Sequence, residues 1–181
     1  MRSLLYAIGV GILGALVLHI VIILATPLYS GVDSYARVLD LDADGEFNPL
    51  PATASDGELA ASGPFVREAV CAFSTEDGPI HLVAQGDVPL WSAAVYTSTS
   101  NEVFSMTDRT SVRGFLDIVV GTDAQIAALK NAGPDTAQGS ILVTMQKPEG
   151  YAVIRAVVPQ KSMAAPADAF LAGASCDPVE D

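Results

Sequence analysis

From Leu4 to Thr26 the chain reads LLYAIGVGILGALVLHIVIILAT, with no Asp, Glu, Lys or Arg. At about 1.5 Å per helical residue this run reaches ~33 Å, enough to cross the ~30 Å hydrocarbon layer of a bilayer. A cleaved secretory signal is the rival reading. Its apolar region is normally ~7–15 residues and ends in small residues at the cut, whereas here Pro27 follows Ala25 and Thr26. Residues 1–27 are therefore expected to form a retained membrane anchor. Val32, Tyr35, Ala36 and Leu39 then recur at helical spacing and predict a short juxtamembrane helix. From Asp42 to Pro64 the periodicity is lost, and Pro49, Pro51 and Pro64 stand among Ala, Ser, Gly and acids, a linker composition. Residues 28–64 thus read as stem and linker.

Beyond Phe65 the pattern changes to alternation. REAVCAFSTEDGPIHLVAQ predicts a hairpin turning at Asp77-Gly78, with Ser74 opposite His81 and Cys71 opposite Ala84. One face carries Cys71, Phe73, Ile80, Leu82 and Ala84, and the other Val70, Ala72, Ser74, His81, Val83 and Gln85. Strands are expected at LWSAAVYT, EVFSM and GFLDIVV. TDAQIAALKNAGP predicts a helix, with Thr122 and Gln125 as a capping box and Gly133-Pro134 as its stop. ILVTMQ and YAVIRAVV predict a second hairpin through Lys147-Pro148-Glu149-Gly150, with Ile141, Val143 and Met145 beside Ala152, Ile154 and Ala156. A short helix near Ala165 to Ala172 completes a mainly β, α+β domain over residues 65–181. It has six or seven strands and two or three helices.

Composition places this domain. Of 9 basic residues, Arg2 precedes the span, while all 21 acids follow it, within a net charge of −12. By the excess of Lys and Arg on cytoplasmic flanks, the N-terminus is expected inside and the domain outside. So acidic a domain repels phosphate backbones, and no nucleic-acid partner is expected. Outside the membrane an oxidising compartment permits a Cys71–Cys176 disulfide, which the chain-entropy model values at about 4 kcal/mol. Two free buried thiols are the alternative.

Candidate chemistry is sparse. DLDADGEFNPLP places Asp40, Asp42, Asp44 and Gly45 as in a calcium loop, but Pro51 stands where the bidentate Glu belongs. An acidic solvated linker explains it as well, and neither metal nor cofactor is expected. Cys71 and His81, a conceivable nucleophile and base, alternate onto opposite faces. Asp108, Arg109 and Asp117 are candidates for a polar cluster near strand ends, an ion pair pinning a loop. Trp91, Tyr96 and Phe104 belong to the core or to a binding surface. In the span, Ala7, Gly11, Ala15 and His19 recur every four residues, which allows close approach of a second helix. Equally, small residues are common in spans and His19 can snorkel.

EAVCAFSTEDGPIHLVAQGDVPLWSAAVYTSTSNEVFSMTDRT together with EGYAVIRAVVP resembles the small membrane-anchored members of the bacterial family called domain of unknown function 1254. The matching positions are Glu76-Asp77-Gly78-Pro79 for an acidic-Gly-Pro hairpin, Trp91-Ser92, Asp108-Arg109 and Arg155, within Phe65 to Cys176. The resemblance implies a β-sandwich or jelly-roll-like domain in the cell envelope, beside a companion of the domain of unknown function 1214 type, and no catalytic residues. The expectation is a single-pass protein of the bacterial inner membrane with a periplasmic domain. It would touch lipid through its helix and bind a protein partner as a non-enzymatic interaction or scaffold module. A hydrolase or a small-ligand binder is the alternative, favoured if Asp108, Arg109 and His81 converge on one deep pocket.

Overall fold

The apolar run and the stem form one helix, α1 (Arg2–Leu39), in the computed structural model. It describes residues 2–41, 45–53, 58–111, 114–132 and 139–179, except for the side chains of 27–33. The anchor and the juxtamembrane helix, expected as separate elements, are continuous through Pro27. Proline denies the Ile23 carbonyl its usual donor, but helices in apolar surroundings absorb such a loss through neighbouring hydroxyls and local adjustment. One residue earlier the Thr26 hydroxyl donates back to the Ile22 carbonyl at 2.8 Å, a bond to the carbonyl next to the one Pro27 leaves without a donor. Arg2–Thr26 is long and apolar enough to cross a membrane, a property that a signal sequence shares, and its most apolar window is not buried by the rest of the chain.

The remainder is a two-sheet β-sandwich. Its strands are β1 (Asn48–Pro49), β2 (Val66–Ser74), β3 (Ile80–Ala84), β4 (Trp91–Thr97), β5 (Glu102–Thr107), β6 (Leu116–Thr122), β7 (Ile141–Met145), β8 (Glu149–Val157) and β9 (Ser175–Pro178). One sheet runs β1-β2-β8-β4-β5 and the other β7-β6-β3-β9. The β6–β7 pair is parallel, as its connection through helix α2 (Asp123–Ala132) allows. After β8 a 3-10 turn at Lys161–Met163 leads into helix α3 (Ala164–Ala172), which places Ala167, Phe170 and Leu171 in the core.

Neither expected hairpin forms. β2 pairs with β8 and β1, and β3 with β6 and β9, so Asp77-Gly78 lies at a corner where the chain crosses between sheets. The second turn, through Lys147-Pro148, likewise carries the chain from β7 in one sheet to β8 in the other. The face assignments survive this correction. Cys71, Phe73, Ile80, Leu82 and Ala84 all enter one core, with Val143, Met145, Ala152, Ile154 and Ala156. The two strands of each expected hairpin, β2 with β3 and β7 with β8, face each other from different sheets, while β2 and β8 are neighbours in one. The corners are joined, because the Thr75 N–H and hydroxyl both donate to the Pro148 carbonyl at 2.9 and 3.2 Å.

The Cys71–Cys176 disulfide ties β2 to β9 across the core, at a sequence separation of 105. The stem also joins the fold. Val38 is buried with Val70, Ala72, Tyr151 and Val153 on the outer face of the larger sheet, and Tyr35, Leu41, Leu50 and Leu59 pack against that cluster. Part of the segment read as a linker contributes β1 and the buried Phe47.

Candidate functional site

On the outer face of the larger sheet, Glu68, Arg155, Ser92 and Thr107 lie in one cross-strand row over β2, β8, β4 and β5. Glu68 is only 5% exposed, and a buried carboxylate requires partners. Arg155 Nε donates to it at 2.8 Å, and the Ser62 N–H and hydroxyl donate at 3.1 and 2.7 Å. Burial opposes the guanidinium's charge, but the bonds to Glu68 and Tyr96 outweigh it and raise its pKa. Beside this row Tyr96 stacks on Tyr151 at 5.1 Å, and Tyr151 donates to the Ser100 hydroxyl at 2.9 Å. Burial raises the Tyr151 pKa above its ordinary value, against the opposing effect of that bond.

The other prominent feature is the end of the sandwich where β2 and β4 begin and β8 finishes. Its floor is Trp91, 2% exposed and tilted against Phe170 at 5.8 Å. Trp91 is thus a core residue. A Cβ at Gly86 would stand 3.0 Å from the Phe170 ring, so a larger residue there would push that ring aside. Above the floor, a cleft of about 360 Å³ is lined by Gly86, Asp87, Val88, Pro89, Trp91, Asp108, Gly114 and Phe115.

At this end of the sandwich four large apolar side chains are exposed, and Phe115 among them lines the cleft. Phe65 is 63% exposed, Leu90 52%, and Phe115 and Val157 37% each. Backbone bonds from Val157 N–H to the Leu90 carbonyl (3.0 Å) and from Val158 N–H to the Phe65 carbonyl (2.7 Å) bring three of these segments together. Leu90 has φ +61°, a left-handed conformation that a side chain with a Cβ rarely adopts. The Asp108 carboxylate supports it by accepting from the Leu90 N–H at 3.4 Å.

The remaining candidates are dispersed. Asp117 bonds His81 at 2.9 Å on the smaller sheet, not Asp108 or Arg109. The expected Asp108–Arg109–Asp117 cluster therefore does not assemble, because β6 delivers Asp117 to the other sheet. Arg109 is exposed and does not line the cleft. Cys71 is consumed by its disulfide and cannot act as a nucleophile with His81. Phe104 packs against the core. Asp77 and Gly78 lie in the corner, where the Pro79 carbonyl accepts from the Val179 N–H at 2.9 Å. Asp40 is exposed after α1, and Asp42 and Asp44 lie outside the described residues, as do Gly133 and Pro134. Among the described residues no three metal-binding side chains come together. Ala7, Gly11, Ala15 and His19 are exposed along α1, and nothing lies within 4 Å of a Cβ built at Gly11.

Sequence reasoning missed Glu68, Phe65 and Leu90. Glu68 had a signal, a lone acid at the head of the apolar run AVCAF. Leu90 had none, since the glycine or asparagine that marks a left-handed position is absent.

No family model and no curated protein matches the chain. Solved structures do resemble its fold. The VPA0106 protein of Vibrio parahaemolyticus matches with a TM-score of 0.58 at 12% identity, over 86% of this chain and 37% of that one. An uncharacterised protein of Burkholderia cenocepacia matches with a TM-score of 0.51 at 12% identity, over 86% and 41%. The chain thus spans about two fifths of the length of these structures, and the likeness is one of fold.

Proposed function

We propose that the chain is a membrane-anchored envelope protein whose β-sandwich works by binding another protein. Arg2–Thr26 serves as the anchor, its N-terminus in the cytoplasm and the sandwich in the periplasm, where the disulfide is stable. The observation that carries the reading is the apolar end of the sandwich. An acidic domain leaves Phe65, Leu90 and Val157 in solvent at the end of the sandwich that carries the cleft, whose own lining includes the exposed Phe115. Contiguous apolar surface rimmed by polar groups marks an interaction site. The partner on this reading is a companion of the domain of unknown function 1214 type. His81, Asp108 and Arg109 do not converge on one pocket, which weighs against the hydrolase alternative.

A photoreactive amino acid at position 90 or 157 of the full-length protein, irradiated in cells, tests this. The expected result is one protein adduct from both positions and none from position 83 on the opposite sheet. Absence of an adduct at 90 and 157, or the same adducts from 83, would contradict the proposal.

A further inference from the structure

We infer that the cleft beside Leu90, lined by its neighbours Pro89 and Trp91, receives a segment of the partner protein that carries an aliphatic side chain next to a lysine or arginine. This rests on the protein-binding function above and specifies its chemistry. The cleft has an apolar floor and wall in Trp91, Val88, Pro89 and Phe115, and its charged lining residues are Asp87 and Asp108. At about 360 Å³ it accommodates one side chain with its adjoining backbone rather than a globular surface. Asp87 is exposed, and Asp108 spends one oxygen on the Leu90 N–H, leaving the other for an incoming cation. An aliphatic group on the floor with a cation between the two carboxylates satisfies both the apolar and the acidic lining, and such charge pairing sets partner choice more than total affinity.

Other occupants fit less well. Anionic lipid would face both carboxylates and the repulsion of a chain with 21 acidic and 9 basic residues. A second copy of so acidic a chain meets the same repulsion. Leu90 adds an independent argument, because its left-handed backbone costs roughly 1–2 kcal/mol and its exposure forgoes burial. Its backbone is held by the Asp108 carboxylate and the Val157 N–H, while half of its surface stays in solvent. A partner closing over the cleft covers the side chain that the strained turn presents.

The test places the photoreactive group at position 115 of the full-length protein and compares wild type with Asp87→Lys and Asp87→Asn. The expected result is an adduct whose linked peptide, mapped by mass spectrometry, holds a Lys or Arg within a few residues of an aliphatic side chain. Yield should fall at least about tenfold in Asp87→Lys and less in Asp87→Asn. Retention of the disulfide in each variant shows that the sandwich is intact. An adduct with lipid or with a second copy of the chain overturns the inference, and so does a protein adduct indifferent to Asp87→Lys. In the last case the adducts from positions 90 and 157 persist and the protein-binding function stands. If those are lost as well, both fail together.

Discussion

Glu68 lies among residues that bury almost completely, and its charge is tolerable only because three donors converge on it. Removing the Arg155 guanidinium would leave the buried carboxylate without its counter-charge, held by the Ser62 donors alone, at a cost of roughly 3 kcal/mol. Arg155→Ala is therefore expected to lower the denaturation midpoint sharply, while Glu68→Leu/Arg155→Leu, which removes both charges, should recover most of the loss. A midpoint unchanged in the single variant would show that the pair is dispensable. The sequence marks Arg155 through its place in a family-like motif but is silent about its partner. Register between β2 and β8, strands separated by most of the domain, brings the two together. Cys71 and Cys176 were legible for a different reason: two cysteines outside a membrane leave only one intramolecular bridge.

At the scale of elements, alternation revealed which side chains point into the core but not which strand each one faces. Period-2 patterning is the same whether the apolar face meets a neighbour in its own sheet or one across a sandwich. Both acidic, Pro- and Gly-containing turns consequently looked like hairpins, yet both are corners, stitched together through Thr75 and Pro148. The N-terminus of α2 was readable because its signal is local. Gln125 Oε1 accepts from the Thr122 N–H at 2.8 Å, as a capping box requires. Its Nε2 has a second role that no local signal announces, donating to the Thr75 carbonyl at 2.6 Å beside the corner. Loss of the cap and of a donor to a buried backbone should together cost about 2–3 kcal/mol. Gln125→Ala is thus expected to destabilise the domain far more than Gln125-adjacent Ala124→Ser, by thermal or denaturant melting. Equal midpoints would remove the corner from the account.

Across the whole molecule, a helix of 38 residues runs from the apolar span into the outer face of the larger sheet, where Val38 is buried. At ~1.5 Å per residue it is about 57 Å long, more than a bilayer requires. Its last turns are thereby part of the domain rather than a tether, and the sandwich takes its bearing directly from α1. At one end of that sandwich, stability is given up to hold Leu90 in a left-handed turn and in solvent. On the proposed function, this end of the sandwich binds a protein. The most direct measurement pairs thermal stability with partner crosslinking, from a photoreactive group at position 157, in wild type and Leu90→Asn. Asparagine accepts the left-handed backbone without the leucine's strain. The expected result is a melting temperature unchanged or raised by about 2 °C, together with loss of most of the adduct. A lowered melting temperature with the adduct retained would contradict it, because Leu90 would then serve the fold and not the partner.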